Sequence, residues 1–261
     1  MRDTNSKSTT RNPKIILLRH FIHLAYKGTN YHGWQSQPNA ISVQEVLEKA
    51  LQIILRKSIA IVAAGRTDAG VHAKEMYAHF DFDEIINVEK LVKKLNSFLP
   101  KDIAIFKIIK VHDTAHARFD AVKRTYQYHI HTQKNAFECN DSWYFAQNIN
   151  IEKMNEACKI LFAYTDFECF SKIHTDVNTF DCKIYEAFWQ QKENQLVFTI
   201  AADRFLRNMV RAIVGTLINI GLEKVSLEDF KKIIESKDRA KAGFSVPAHG
   251  LYLTKIEYAY L

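Results

Sequence analysis

The chain has 261 residues, 47% hydrophobic and 25% charged, which is typical of one large or two small globular domains and excludes a disordered chain, a collagen and a coiled coil. Lysine and arginine outnumber aspartate and glutamate by 36 to 29, and the net charge of +7 favours a protein that handles a polyanion, although a soluble protein without such a partner also fits. The four cysteines form no CxxC pair, which indicates reduced thiols and a cytoplasmic location.

The amino-terminal end predicts an arm followed by a strand. Residues 1–14 are polar and basic, so we expect a disordered basic arm that contacts an acidic partner. The apolar run IILL is followed at once by Arg19 and His20. It is too short for a signal peptide or a membrane span, and it predicts a first buried strand within 15–26 and no membrane association.

Residues 15–115 predict the order strand, helix, strand, strand, helix, strand. Ser42 and Glu45 have the spacing of a capping box before an apolar helical stripe. The segment AIVAAGRTDAGVHA predicts a strand that leads into a glycine-bounded loop, and MYAHFDF predicts the next strand. A second amphipathic helix starts near Val88, and IAIFKIIKV predicts the fourth strand.

Residues 116–261 predict a similar order. The strand RTYQYHIHT precedes a helix from Ile151 to about Tyr164, a strand pair across the turn KEN, the long helix LRNMVRAIVGTLINIG, a helix capped by Ser226 and a closing strand. We therefore expect an α+β fold of two similar halves, 15–115 and 116–261, around an extended central antiparallel sheet with a cleft between them. No low-complexity linker separates the halves, which favours one continuous body.

Several familiar sites are not indicated. The chain has neither GxxxxGK[ST] nor GxGxxG after a strand, which argues against phosphate-cradling nucleotide loops. His129 and His131 lie two apart on one predicted strand, but no HExxH motif or Cys/His quartet joins them, so no metal site is expected. The tripeptide DAG occurs once and lacks the hydroxyl residue of aspartic proteases, whose chemistry needs two carboxylates.

The loop GRTDAGVHA, residues 65–73, is the first candidate for chemistry. It places a cation, Arg66, two residues before a carboxylate, Asp68, and in an extended segment both would face the same side. An Asp in such a loop is often only a turn former that bonds its own backbone. A carboxylate in a tight loop with cations nearby also suits catalysis.

A second candidate is the segment FLRNMVRAIVG. Read as one helix, it puts Arg204, Arg207 and Arg211 on a stripe apart from its apolar face. Such a stripe is either a solvated basic face or a set of guanidiniums that bind phosphates or pair with a buried carboxylate.

The third candidate is the segment ARFDAVKRTYQYHI. Cations and aromatic rings are interleaved there, which suits RNA because cations meet phosphates and rings stack on unpaired bases. Core packing explains such rings equally well. The interleaved residues are Arg118, Phe119, Lys123, Arg124, Tyr126 and Tyr128.

Six segments in the same order resemble the bacterial tRNA pseudouridine synthase A family over 26–253. They are YKGTNYHGWQSQP, SVQEVLEKAL, GRTDAGVHA, ARFDAVKRTYQYHI, FLRNMVRAIVGTL and PAHGLYL. The resemblance implies two α+β halves about an extended antiparallel sheet, a homodimer, no cofactor, and isomerisation of uridine to pseudouridine at three neighbouring positions of the tRNA anticodon stem-loop.

The resemblance also implies roles for individual residues. Asp68 would be the nucleophile, Tyr126 would stack on the target uracil, Arg211 would pair with Asp68, and Arg66 would intrude into the RNA as the base leaves its stack. Further RNA contacts are expected from Arg118, Phe119, Lys123, Arg124 and Arg207. Two departures from the family pattern stand out: Lys27 replaces the usual Asp, and HTDVNTFDC at 174–182 lacks a basic residue.

The implied chemistry suits these residues. The N1–C1′ bond breaks and a C5–C1′ bond forms without redox change, so neither a cofactor nor a metal is needed. A carboxylate attacks either C1′ of the sugar or C6 of uracil. The phenol of Tyr126 is a candidate to accept the C5 proton or serves only for stacking. A non-catalytic RNA-binding protein of the same fold is the alternative; a base-excising glycosidase usually needs a second acid.

Overall fold

The computed structural model describes residues 17–173 and 177–261, so the predicted basic arm at 1–14 lies outside the described residues. Within this part the strands are β1 Leu18–Tyr26, β2 Val62–Ala63, β3 His72–Phe82, β4 Ile103–Lys110, β5 Ala121–His131, β6 Trp143–Tyr144, β7 Ile184–Lys192, β8 Gln195–Ala202 and β9 Leu251–Tyr258. The α-helices are α1 Val43–Leu55, α2 Val88–Phe98, α3 Ile151–Leu161, α4 Met209–Gly221 and α5 Leu227–Glu235.

All the strands belong to one sheet. Its order is β4-β1-β3-β9-β5-β8-β7, with β2 beside β3 and β6 beside β5. The pairing is antiparallel except between β5 and β6 and between β3 and β9, where His72 and Ala73 lie opposite Tyr252 and Leu253. The predicted α+β fold with a central, mostly antiparallel sheet is confirmed. The junction between the halves differs from the prediction because it is parallel and only two residues long.

Both halves follow the same strand order. The first half runs β4-β1-β3-β2 and the second runs β9-β5-β8-β7, which place equivalent strands at equivalent positions. The boundary expected at 115/116 falls in the loop between β4 and β5. Because the strands form one continuous sheet, this boundary stays a prediction.

Local sequence signals set the ends of several helices. The Ser42 hydroxyl accepts a hydrogen bond from the Glu45 amide at 3.2 Å, and Ser226 caps α5 in the same way. Both satisfy an amide that has no partner within its own helix. In α4 only Arg211 and Asn219 are not buried, which is the pattern of a helix packed inside the protein. This buried helix is a rigid support for the Arg211 side chain.

The long basic stripe expected at 204–211 is not formed. Asn208 adopts the left-handed conformation at φ 67°, and α4 begins only at Met209. Asparagine tolerates this conformation better than most residues, and its side chain amide donates to the Ser245 hydroxyl at 2.7 Å. The prediction of one helical stripe is therefore wrong: Arg204 and Arg207 lie in the loop before the helix, and only Arg211 belongs to it.

The segment that follows α5 packs tightly on α4, so we expect a larger side chain at their contact to destabilise the fold. A Cβ on Gly215 would overlap the Phe244 carbonyl oxygen, whereas a Cβ on Gly65 would meet open space. We expect Gly215→Ala to lower the free energy of unfolding by about 1–3 kcal/mol or more, as overpacking does. Denaturant titration checks this, with Gly65→Ala as the control; equal stabilities of the two variants would contradict the packing.

Candidate active site

Asp68 lies in the loop between β2 and β3, residues 64–71, here named the Asp68 loop. The backbone of this loop is held by the segment that precedes α1. The Trp34 amide donates to the Thr67 carbonyl at 3.2 Å, and the Gly70 amide donates to the Tyr31 carbonyl at 3.3 Å. The Tyr26 hydroxyl lies 2.8 Å from the Thr67 hydroxyl. These contacts hold the residues on both sides of Asp68 in place.

Glycine is required where the two segments touch. Gly33 has φ +90°, and a Cβ there would stand 2.5 Å from the Thr67 carbonyl oxygen. A Cβ on Gly28 would overlap the Val71 carbonyl oxygen. The backbones therefore approach as closely as they do only because these positions lack side chains.

His72 joins the Asp68 loop to the second half. The Gly28 amide donates to Nδ1 of His72 at 3.0 Å, so Nε2 carries the proton and donates to the His249 carbonyl at 3.0 Å. Burial lowers the pKa of His72, which keeps the ring in this neutral form. The imidazole is a structural bridge between the halves.

Two guanidiniums face the Asp68 carboxylate. Nη1 of Arg211 lies 3.5 Å from Oδ2, and Nε of Arg207 lies 3.8 Å from Oδ1. The Asp68 side chain is 26% exposed, so its carboxylate is accessible to a substrate. One arginine reaches it from the buried helix α4 and the other from the preceding loop.

The direction of the Arg211 side chain is set by the segment before β9. Nε of Arg211 donates to the Val246 carbonyl at 2.7 Å, and the Val246 amide donates to the Arg211 carbonyl at 3.3 Å. The hydroxyl of the buried Tyr128 donates to the Pro247 carbonyl at 2.8 Å. The guanidinium is thus clamped with its other edge towards Asp68.

Tyr126 lies on β5 beneath the site. Its ring is 9% exposed and makes an edge-to-face contact with Phe205 at 5.1 Å between centroids. Burial raises the pKa of Tyr126 to about 12, Arg124 opposes this rise, and Asp68 adds to it. The phenol is therefore protonated at neutral pH, and its hydroxyl makes no hydrogen bond within residues 17–173 and 177–261.

A family model described as tRNA pseudouridine synthase matches residues 22–120 and 157–259. The chain belongs to this family. The tRNA pseudouridine synthase A of Bacteroides fragilis is 55% identical over 92% of the chain and 96% of its own length. The corresponding proteins of Porphyromonas gingivalis and Clostridium acetobutylicum are 51% and 41% identical, over 93% and 91% of the chain and 98% of each relative.

In this member of the tRNA pseudouridine synthase family, Arg66 and Asp68 face different surroundings. Arg66 is exposed and lines a cavity of about 240 Å³ with Arg118, and Asp68 does not contribute to that cavity. The expectation that both side chains face one side rested on an extended loop. The turn at Ala69 and Gly70, where Gly70 has φ +78°, follows both residues, so this expectation stays a prediction.

Arg124 is used inside the protein. Its guanidinium donates to four backbone carbonyls, which belong to Ala64, Arg118, Ala121 and Asp203, at 2.6–3.1 Å. Burial lowers its pKa. Because a guanidinium has five N–H donors, this corrects the expectation of a direct phosphate contact. Arg124 instead ties the Asp68 loop to the segments on either side of the site.

Lys123 lies on the opposite face of β5 from Tyr126, because successive side chains of a strand alternate. Its ammonium pairs with Glu186 at 2.6 Å and Glu257 at 3.8 Å. The interleaved cations and rings therefore do not form one RNA-binding face, and the structure gives Lys123 a different use from the one expected. Arg118 and Phe119 precede the strand and are exposed.

The remaining sequence observations fall at the edges of the site. Lys27, which departs from the family pattern, pairs with Asp141 at 2.8 Å. Of the segment 174–182, residues 174–176 lie outside the described residues, and the Thr179 carbonyl accepts a hydrogen bond from Arg204 at 3.3 Å. The described part of the chain holds no group of three or more His, Cys, Asp or Glu side chains placed for a metal, and no helix there is long and apolar enough to cross a membrane.

Sequence reasoning missed the clamp on Arg211 and the bridge through His72. Val246 acts through its backbone carbonyl, which leaves no signal in residue type. His72 could have been suspected, since it belongs to the conspicuous segment GRTDAGVHA, but its two partners lie 44 and 177 residues away.

Proposed function

We propose that this chain isomerises uridine to pseudouridine in tRNA, with Asp68 as the nucleophile. The observation that carries the proposal is a single carboxylate, partly open to solvent, held between Arg207 and Arg211 near the buried ring of Tyr126. The relatives that are 51–55% identical are named for this activity.

The reaction uses the carboxylate twice. Asp68 adds to C1′ or to C6, the N1–C1′ bond breaks, the uracil turns within the site, and a C5–C1′ bond forms as Asp68 is released. N1 gains a proton and C5 loses one, so no atom or electron is left over. Arg211 orients the carboxylate, and covalent attachment divides one difficult displacement into two easier steps.

The direct test is release of tritium from uridine C5. We expect tRNA transcribed with tritium at C5 to lose its label to water when incubated with the protein and a chelator, without added cofactor and without free uracil. Free uracil would instead indicate a glycosidase. Tight binding with full retention of label would indicate the alternative, a non-catalytic RNA-binding protein, which has no need of a carboxylate between two guanidiniums.

Tyr126 supports the uracil by stacking in this proposal. Because its pKa is raised to about 12, the neutral phenol is a poor proton acceptor at pH 7. We expect Tyr126→Phe to keep tritium release within about tenfold of the unsubstituted protein, whereas general acid–base catalysis is worth about 10²–10⁴-fold. Single-turnover release measures this, and a loss above 100-fold at unchanged RNA affinity would assign the proton transfer to the phenol.

Arg66 assists extrusion of the target base. Removing a base from a stack takes a few kcal/mol, roughly, and is harder in a paired stem than in a loop. We expect Arg66→Ala to slow modification of a stem uridine at least about tenfold more than that of a loop uridine. Rates at matched sites in one stem-loop RNA check this, and equal losses would reduce Arg66 to a phosphate contact.

The proposal also covers the target positions, the oligomeric state and location, and the role of Arg207. The target positions are three neighbours in the anticodon arm, the protein acts as a homodimer in the cytoplasm, and Arg207 contacts the RNA backbone. Sequencing of modified positions and sedimentation at several protein concentrations test the first two. The family resemblance supports them, and the exposed Arg207 beside the carboxylate supports the third.

A further inference from the structure

The cavity beside the Asp68 loop is lined by Arg66, but the steps above assign it no ligand. It has a volume of about 240 Å³. Its apolar lining residues are Trp34, Ile61, Val62 and Ala63, and its polar ones are Gln35, Gln44, Arg66 and Arg118. This is smaller than the roughly 300–1,000 Å³ that holds a drug-sized ligand. The space suits one flat group the size of a nucleobase.

The charges of the cavity are not neutralised. Neither Arg66 nor Arg118 pairs with a carboxylate anywhere in the part of the chain that the structure describes. The Gln35 side chain is exposed and makes no hydrogen bond within the same residues. The cavity therefore offers two free guanidiniums and one free amide.

An exposed aromatic ring adjoins Arg118. Phe119 is 75% exposed, its ring lies 5.6 Å from the Arg118 guanidinium, and its centroid lies 4.2 Å from that of His116. A lone exposed Phe needs no explanation, but a ring supported by His116 and adjacent to the unpaired Arg118 has the composition of a single-strand binding site. Cations meet phosphates there, and the ring stacks on a base.

The position relative to Asp68 indicates which nucleotide would bind. Arg66 precedes Asp68 by two residues, so their Cα atoms are at most about 7 Å apart. Successive nucleotides of a stacked strand are about 3.4 Å apart along the axis, and further apart where one is extruded. An RNA strand that delivers a uridine to Asp68 thus passes this cavity with the next nucleotide.

We propose that the cavity binds the nucleotide adjacent to the target uridine. Its base lies against the exposed Val62 with its edge towards Gln35, and a flanking phosphate contacts Arg118, which leaves Arg66 for extrusion of the target base. An amide that both donates and accepts suits more than one base. This inference rests on the proposed function, because it takes the nucleotide at Asp68 to be the uridine that is isomerised.

The test combines protein and RNA changes. Three stem-loop RNAs carry tritium at C5 of the target uridine: one intact, one with an abasic site immediately 5′ of it and one with an abasic site immediately 3′. Val62→Trp fills the cavity, and Phe119→Ala removes the exposed ring. The control is Ile53→Trp, at an exposed aliphatic residue on α1 outside the cavity; Ile53 is 52% exposed and Val62 41%.

We expect Phe119→Ala and Val62→Trp each to raise Kd for intact RNA about 5–100-fold, the range for loss of one base stack, and Ile53→Trp to leave Kd within about twofold. On one of the two abasic RNAs, Val62→Trp should cause little further loss. Equal losses from Val62→Trp on all three RNAs, or unchanged Kd for intact RNA, would overturn the inference. Failure of the proposed function is distinguishable, because the unsubstituted protein would then bind intact RNA without releasing tritium.

Discussion

Asp68→Asn is expected to abolish tritium release, with a fall in single-turnover rate of at least about 10⁴-fold, since loss of a nucleophile has effects of that order. The amide keeps the size of the side chain but is not a nucleophile under these conditions. Phosphate contacts supply most of the affinity for RNA, so binding should persist. The measurements are single-turnover release and filter binding of the same tRNA.

The RNA affinity of Asp68→Asn is expected to stay the same or to increase. Asp68 is the carboxylate closest to Arg207 and Arg211, so its neutralisation leaves both guanidiniums freer to attract phosphate. We expect Kd to be unchanged or up to a few-fold tighter. Asp113→Asn, at an exposed position in the loop between β4 and β5, is the control. Catalysis by Asp68→Asn near the rate of that control would exclude the nucleophilic role.

Arg211→Lys is expected to lower kcat by about 10²–10³-fold with little change in KM, because a misplaced catalytic group loses about that much. Arg211 directs Nε to the Val246 carbonyl and Nη1 to Asp68 at the same time. A lysine has a single nitrogen at the end of its side chain and cannot occupy both positions. The carboxylate would then lose its partner or the clamp would open.

Arg204→Lys is the matched control for this substitution. Its guanidinium donates to the Thr179 carbonyl at 3.3 Å and makes no contact with Asp68. We expect kcat of this variant to stay within about threefold, since an exposed contact of this kind is worth little. Thermal unfolding of both variants separates a lost catalytic contact from a loosened fold. Similar small losses in kcat for Arg211→Lys and Arg204→Lys would indicate that Arg211 has only a structural role.

The secondary structure was predictable where local chemistry decides it. The capping box at Ser42 and the cap at Ser226 set the starts of α1 and α5, because a hydroxyl satisfies an otherwise unpaired amide there. The segments MYAHFDF and RTYQYHIHT correctly predicted β3 and β5. The start of α4 was missed because the left-handed turn at Asn208 is stabilised by Ser245, which lies 37 residues away.

The site was predictable in part. The loop around Asp68 was conspicuous in the sequence, and the family resemblance suggested its pairing with Arg211, 143 residues away. The uses of Lys123 and Arg124 were not predictable from residue type. Neighbouring strands determine which face of the sheet a cation lies on. They also determine whether it meets carbonyl oxygens or carboxylates there.

The sequence by itself determined the order of helices and strands, the position of the reactive loop and the family. These depend on periodicity, capping and short motifs, which act over a few residues. Only the tertiary structure decided that the halves join through two parallel residue pairs at His72 and Ala73, and that Arg211 is clamped by Val246. Such contacts are made by backbone groups, which every residue carries, so their partners are set by how the chain packs and not by residue type.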